Sequence, residues 1–188
     1  MPLPVEQAVN PHVIAAAAYW GSLRAHRLFP ARGDLTLRGM AAILPYAVII
    51  SVIGDGADFE YRYVGEEQRQ AFKTSFKGLR LSQIEAAVPQ LGAVLREVYS
   101  RAHSLRTPFL IRGRIDHDPA DPRLIYHETA FLPLGVEDEA VDHLLVVGVQ
   151  VPEPFWDIPA DRLTMLESGI RAARLSASNG APLVLESK

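Results

Sequence analysis

The stretch that decides the fold runs from Tyr46 to Val64 and reads YAVIISVIGDGADFEYRYV. Its first half is rich in β-branched residues and ends in GDGAD (54–58), which is typical of a strand followed by a hairpin turn. Its second half alternates with a period of two. That alternation predicts one face with Phe59, Tyr61 and Tyr63, and another with Glu60, Arg62 and Val64. The stretch therefore predicts a β-hairpin.

The chain on either side of this hairpin predicts helices and three further strands. Asn10 and Pro11 favour a helix that begins at Pro11 and extends to about Leu28. After the hairpin, helical segments are predicted at Glu66–Phe72 and Pro89–Ser104, with Leu79–Ala87 as a short irregular or helical link between them. Three strands follow, at Phe109–His117, Leu124–Leu134 and His143–Val151. A last amphipathic helix is predicted from Ile158 to about Ser176, with an apolar stripe of Leu163, Leu166, Ile170 and Ala173.

This order of elements predicts the fold class. Two strands, a helical crossing and a three-strand meander match an α+β fold of the PAS type. Its five-stranded antiparallel sheet is expected to have the first strand at the centre, helices on one face, and flanking helices at both ends of the chain. We divide the chain into an N-terminal helix and connector (1–40), a PAS-like core (41–151), and a linker with a C-terminal helix and loose tail (152–188).

Composition excludes several classes of function. The chain has no cysteine, so disulfides, thiolate metal sites and cysteine nucleophiles are excluded. A net charge of −3 gives no electrostatic reason to expect a nucleic-acid partner. The N-terminus lacks a positive region followed by an apolar run, and the most apolar stretch, Ala41–Ile53, is too short to span a bilayer as a helix. We expect a cytoplasmic protein without membrane contact.

Several ordered motifs also match a known family. They are Trp20-Gly-Ser-Leu23-Arg24, Arg27-Leu-Phe-Pro30-Ala-Arg32, Ile43-Leu44-Pro45 and Tyr61-Arg62-Tyr63-Val64-Gly65. Together they resemble a family of small stand-alone PAS-like proteins from proteobacteria, over roughly Tyr19 to Val151. A later segment, Lys77–Leu81, departs from that family's usual Thr and Arg positions. The resemblance implies a PAS-type fold and a sensory or regulatory role, without a known ligand.

An aromatic set is the candidate ligand pocket between the sheet and the helices. Its members are Tyr61, Tyr63, Phe72, Phe76, Leu95, Tyr99, Tyr126 and Phe131. Tyrosine hydroxyls in such a pocket would orient a polar group of a ligand. The alternative is that these residues are ordinary core, as aromatic side chains at strand and helix spacing usually are.

A second set of residues has a structural or interaction role. It consists of Trp20, Arg24, Arg27, Arg32 and Arg62. One interpretation is that Arg24 and Arg27 bind a carboxylate or an anion. The other, which we favour, is that Trp20 packs on the outer sheet face and the guanidinium groups bind loop carbonyls or Asp34.

The histidines are weak candidates for metal or cofactor chemistry. His103 lies near the position of an axial haem ligand in haem-binding PAS domains, but a histidine at a helix C-terminus is favoured by the helix dipole alone. His117 and His127 lie near Asp116, Asp118 and Glu128, a composition that suits a metal, although polar residues beside a turn usually face solvent. We therefore predict no metal and no cofactor.

The remaining hypotheses concern function. No catalytic motif is present, so we predict a non-enzymatic sensory or regulatory domain that acts through a protein partner and forms a homodimer through its terminal helices. A small-molecule ligand is compatible with this hypothesis. The alternatives are a small-ligand carrier or weak enzyme with a nuclear-transport-factor-like cone pocket, and an adaptor with a filled core.

Overall fold

The computed structural model of the chain describes residues 2–72, 75–116, 124–136 and 140–151. Within these ranges the strands are β1 (Leu3–Pro4), β2 (Ala47–Ile53), β3 (Asp58–Val64), β4 (Phe109–Asp116), β5 (Leu124–Val136) and β6 (Ala140–Val151). The helices are α1 (Pro11–Arg24), α2 (Leu37–Met40), α3 (Glu66–Phe72), α4 (Leu81–Ala87) and α5 (Pro89–Leu105). The C-terminal helix predicted from Ile158 lies outside the described residues.

The strands form one antiparallel sheet in the order β1-β4-β5-β6-β2-β3. The α+β class and the antiparallel sheet are confirmed, but the predicted count of five strands is wrong. Leu3 and Pro4 pair with Leu110 and Phe109 and add a sixth strand at one edge. A two-residue strand is too short to produce a periodic pattern, and its proline is tolerated because an edge strand needs fewer N–H donors.

The centre of the sheet is β6 rather than the first strand of the hairpin. β6 pairs with β5 on one side and with β2 on the other, while β2 pairs with β3 further out. Residues 144–149 of β6 are all buried, as is typical of a strand covered on both faces. The expectation that the first strand lies at the centre is therefore wrong by one position.

Helices lie on both faces of the sheet. Because successive strand residues point to opposite faces, Phe131 and Glu128 of β5 face opposite sides. α5 packs on the Phe131 face, where the ring of Tyr99 lies 6.3 Å from the ring of Phe131. α1 packs on the other face, against β5 and β6, and the residue that precedes it, Asn10, hydrogen-bonds Glu128. The predicted placement of helices on one face therefore fits α5. The N-terminal helix α1 covers the opposite face.

Helix α1 begins where its capping residues predict. The side chain of Asn10 accepts a hydrogen bond from the N–H of His12 at 2.9 Å, and Pro11 occupies the first helical turn. The helix ends at Arg24, short of the predicted end at Leu28. Ala25 has a φ of 52°, outside the range that a right-handed helix allows, and this stops it.

A β-bulge at Arg62 interrupts the alternation of β3. Ile49 pairs with Tyr63, whereas the next residue of β2, Ile50, pairs with Tyr61. Arg62 is therefore an extra residue without a partner in register, and every side chain after it points to the opposite face from the one that strict alternation predicts.

The bulge changes which side chains at the end of β3 point into the core. Phe59, Tyr61 and Val64 are the buried residues of this strand. Tyr63 is only half-buried, and its hydroxyl donates a hydrogen bond to the carbonyl oxygen of Leu44 at 3.1 Å. The predicted face shared by Phe59, Tyr61 and Tyr63 is therefore wrong at Tyr63, and Val64 takes its place.

Two motif segments meet where β3 ends. The N–H of Gly65 donates to the carbonyl oxygen of Ala47 at 2.8 Å. A Cβ atom at Gly65 would lie 2.2 Å from the carbonyl oxygen of Pro45, a distance that no side chain tolerates. Glycine at this position therefore lets the turn at Leu44–Tyr46 pack directly against the end of β3.

Candidate functional site

A small cavity lies between the sheet and the helices α3 and α5. Its volume is about 50 Å³. It is lined by Val48, Tyr61, Val64, Gln68, Phe72, Phe76, Leu95, Tyr99, His127, Thr129, Phe131, Val146 and Gln150. Space of this size holds on the order of four water-sized groups. The cavity is therefore suited to a very small molecule.

The cavity brings together most of the predicted pocket. Tyr61, Phe72, Phe76, Leu95, Tyr99 and Phe131 all line it. Tyr63 does not, because the bulge at Arg62 directs it to the other face. Tyr126 does not line it either, because it is an odd number of residues from His127 and so faces the opposite side of β5. Sequence alternation could have excluded Tyr126, but nothing in the sequence marks the bulge.

The aromatic side chains form a connected wall. The hydroxyl oxygens of Tyr61 and Tyr99 are 2.9 Å apart and share a hydrogen bond. The Tyr61 ring lies 5.5 Å from that of Phe76, which in turn lies 5.4 Å from that of Phe72. Burial raises the pKa of both Tyr61 and Tyr99 above the ordinary value, so both hydroxyls stay protonated.

His127 is the polar group of the cavity with unmet hydrogen-bonding capacity. Its side chain is 1% exposed, and neither Nδ1 nor Nε2 has a hydrogen-bond partner. Burial lowers the pKa of His127 to about 4, so the ring is neutral near pH 7. A neutral imidazole has one N–H donor and one acceptor nitrogen, and both are available here. Leaving such a group unpaired in the interior costs about 1–3 kcal/mol, a cost that a bound polar molecule would offset.

The sequence groups His127 with Asp116, His117, Asp118 and Glu128 as a weak metal-binding candidate, and the structure directs Glu128 away from His127. Glu128 faces the other side of the sheet, and its carboxylate is bound by other groups. His117 and Asp118 lie outside the described residues. Alternation along β5 places His127 on the same face as Phe131, but it does not show that helices cover this end of the strand.

Glu128 holds the N-terminal segment against the opposite face of the sheet. Its carboxylate is fully buried and accepts hydrogen bonds from the N–H groups of Val9 and Asn10, the latter at 2.8 Å. It also accepts from Nε and Nη2 of Arg112, at 2.8 and 2.6 Å. Arg112 donates in addition to the carbonyl oxygen of Gln7. Arg112 and Glu128 thus form a buried ion pair that fixes the residues preceding α1.

Three residues of the predicted structural or interaction set, Trp20, Arg24 and Arg27, make contacts within the fold. Trp20 is 4% exposed, and its indole N–H donates to the carbonyl oxygen of Pro133 at 2.7 Å. The Arg24 guanidinium lies 5.7 Å from the centre of the Trp20 ring. Nη2 of Arg27 lies 2.6 Å from the carboxylate of Asp34, and this hydrogen bond lowers the pKa of Asp34.

The other two arginines of that set are at the surface. Arg32 is exposed in the connector, and Arg62 is exposed at the bulge, where it pairs with Glu60. An exposed pair of this kind contributes little to stability. An interaction role for these arginines stays a prediction.

Haem and metal chemistry receive no support from the geometry. His103 does not line the cavity; its Nε2 lies 3.5 Å from the Asp55 carboxylate beside the hairpin turn. A volume of about 50 Å³ has no room for a macrocycle. Across residues 2–151, apart from the gaps given above, no group of three or more acidic or histidine side chains could hold a metal ion. In that same part of the chain no helix has the length and apolar composition to cross a membrane.

Comparison with known proteins finds no significant match for the chain. No protein-family model matches it, and no curated protein or solved structure matches it significantly. The resemblance to stand-alone PAS-like proteins therefore stays a prediction from the motifs. The case for function depends on the fold and the cavity.

Proposed function

We propose that this chain is a cytoplasmic, non-catalytic PAS-like sensory or regulatory domain that binds a very small molecule in its central cavity. The observation that carries the proposal is the buried, unpartnered imidazole of His127 in that cavity. A core without a ligand would gain stability from an apolar residue at this position. The order of elements, two strands, helices and a three-strand meander, also favours a PAS-like domain.

The cavity lacks the arrangement that covalent catalysis requires. Thr129 is the hydroxyl-bearing aliphatic residue of the lining, two positions from His127 on the same face of β5. A nucleophile is activated by a hydrogen bond to its base, and neither ring nitrogen of His127 makes one. The arrangement therefore favours binding over hydrolysis or group transfer.

The other function that the sequence allows is a carrier or weak enzyme with a cone-shaped pocket. In that architecture the long helices precede the sheet, whereas here β2 and β3 precede α5, the longest helix of the described residues. A cone-shaped pocket would also be much larger than about 50 Å³. Both features favour the sensory proposal over the carrier.

The output of the domain is proposed to be a change in protein contacts. Helix α1 packs on β5, the strand that also carries His127. Ile14 of α1 and Val9 before it are 46% and 41% exposed, so this helix presents apolar surface to solvent. We propose that this helix takes part in a homodimer or in binding a signalling partner. A monomer at all concentrations in size-exclusion chromatography with light scattering would contradict the dimer.

The test of ligand binding uses native mass spectrometry and thermal shift on freshly purified protein. The cavity-filling variant Val48→Ile/Val146→Ile adds volume to two lining residues, and Val94→Ile on α5, which does not line the cavity, is its matched control. A retained small mass, or stabilisation by an added compound, is expected in the wild type and in the control and is expected to be reduced in the double variant. No retained mass and no stabilisation by any compound would refute ligand sensing.

A further inference from the structure

We propose that the cavity binds a small neutral molecule with a hydroxyl or primary amide group, which exchanges hydrogen bonds with the imidazole of His127. This inference depends on the proposed function, because it names the class of ligand for the same cavity. It rests on three observations: the charge of the lining, its free hydrogen-bonding groups, and its size.

The lining carries no formal charge. None of its residues is Asp, Glu, Lys or Arg. Glu128, the charged residue next to His127 in the sequence, lies on the opposite face of β5 and is paired with Arg112. A carboxylate or an ammonium ion would therefore be buried without a counter-charge, which is strongly unfavourable. The lowered pKa of His127 adds to this, because the ring supplies no positive charge to an anion near neutral pH. The ligand is accordingly uncharged.

The free polar groups define what the ligand must offer. A neutral imidazole presents one donor and one acceptor, and both ring nitrogens of His127 are unpartnered. A hydroxyl or a primary amide both donates and accepts, so either group can pair with such a ring. The hydrogen bond between the hydroxyls of Tyr61 and Tyr99 uses one of their two O–H protons. The other O–H remains as a second donor in the same lining. A purely apolar molecule would leave these groups unpaired.

The side-chain amide nitrogen of Gln68 already has hydrogen-bond partners. Nε2 of Gln68 donates to the carbonyl oxygens of Tyr46 and Gly148, the first at 3.1 Å. Gly148 is the position at which Gln68 reaches the strand backbone; a Cβ atom there would lie 2.9 Å from Oγ1 of Thr129. The N–H groups of the Gln68 side chain are thus taken up by the backbone, whereas both ring nitrogens of His127 have no partner.

The size of the cavity limits the ligand to a few non-hydrogen atoms. A cavity of about 150 Å³ is known to take benzene, and this one measures about 50 Å³. Short-chain alcohols and the smallest amides are within this limit. Nucleotides, flavins and macrocycles are far beyond it.

The test is a titration followed by NMR, with ¹⁵N-labelled histidine and labelled valine methyl groups. Acetamide and 1-propanol represent the proposed class; acetate, which has the shape of acetamide, and methylammonium represent anions and cations. We expect the neutral compounds to shift the ring nitrogens of His127 and the methyl signals of Val48 and Val146. His127→Leu is expected to weaken acetamide binding about tenfold, the value of one lost hydrogen bond, whereas His103→Gln is expected to leave it unchanged.

The outcomes separate the two proposals. Neutral compounds that bind in a His127-dependent way, with no binding of acetate or methylammonium, would support the ligand class. Equal binding of acetate and acetamide, or unchanged acetamide binding by His127→Leu, would overturn the ligand class and leave a ligand-binding cavity in place. If no compound, neutral or charged, shifts the Val48 and Val146 signals, the ligand class and the binding function of the cavity are both wrong.

Discussion

His127 and Glu128 are adjacent on β5 and face opposite sides of the sheet. His127 lines the cavity, with both ring nitrogens unpartnered, and Glu128 binds Arg112 and the backbone N–H groups that precede α1. One peptide unit thus connects the candidate ligand site to the attachment of the N-terminal helix. A displacement of β5 on ligand binding would reach that attachment directly, which gives the proposed sensory role a short physical route.

Replacing His127 by leucine is expected to stabilise the free protein. The substitution removes a buried polar ring without partners and keeps a similar volume of apolar side chain. We expect the free energy of unfolding at pH 7 to rise by about 1–3 kcal/mol, as measured by urea denaturation. His103→Gln, on the outside of the cavity, is the control and should give no such gain. A loss of stability in His127→Leu would mean that the ring makes favourable contacts.

The stability of the wild type is expected to fall as the pH is lowered from 6.5 to 4. The pKa of His127 is lowered from its ordinary value of 6.5 to about 4 in the folded protein. In this range the unfolded chain binds a proton at His127 that the folded protein does not, so acid favours unfolding. The contribution is fully present above pH 6.5, and about 3 kcal/mol of it is lost by pH 4. Urea denaturation of wild type and His127→Leu across this range isolates it, and parallel pH curves would contradict it.

Replacing Glu128 by glutamine is expected to loosen the N-terminal segment. The amide keeps the shape of the carboxylate but removes the negative charge that neutralises the Arg112 guanidinium in a buried setting. We expect a loss of about 3–5 kcal/mol in unfolding free energy and faster hydrogen exchange at the N–H groups of Val9 and Asn10.

The matched control for that change is Glu60→Gln. Glu60 pairs with the exposed Arg62 at the surface, so its loss should change stability by less than about 1 kcal/mol. Exchange at Val9 and Asn10 that stays as slow in Glu128→Gln as in this control would show that the carboxylate does not hold the segment.

The hydroxyl pair of Tyr61 and Tyr99 is expected to be strongly coupled. Either Tyr→Phe change leaves the other buried hydroxyl without its partner, at a cost of about 1–2 kcal/mol each. The double variant removes both hydroxyls together, so it should cost much less than the sum of the two single changes. Additive losses in a double-mutant cycle by urea denaturation would show that the two hydroxyls find other partners.

Most of the fold could be predicted from local sequence patterns. Glu66–Phe72 coincides with α3, and Pro89, which has no use for an N–H at a helix start, correctly marks the beginning of α5. Capping by Asn10 likewise located α1. Helix starts and caps depend on residues only a few positions apart, so the local sequence is enough to predict them.

The parts that escaped prediction depend on contacts between distant residues. The bulge at Arg62 arises from pairing with β2, and β1 exists only because it pairs with β4. For the candidate site, the aromatic wall was predictable in large part, but the burial of His127 was not. The sequence shows a histidine near a polar turn, and only the packing of α3 and α5 over β5 places it in the interior.

The short strand β1 and the bulged strand β3 also determine how the sheet meets its neighbours in a crowded solution. β1 ends in Pro4, which has no N–H to offer an incoming strand, and it covers part of the β4 edge. At the far edge, the backbone of Tyr61 already exchanges hydrogen bonds with Gly78 and Leu79, and Arg62 adds a charge. Both rims of the sheet thus discourage β-aggregation, and self-association by strand addition is disfavoured at either one.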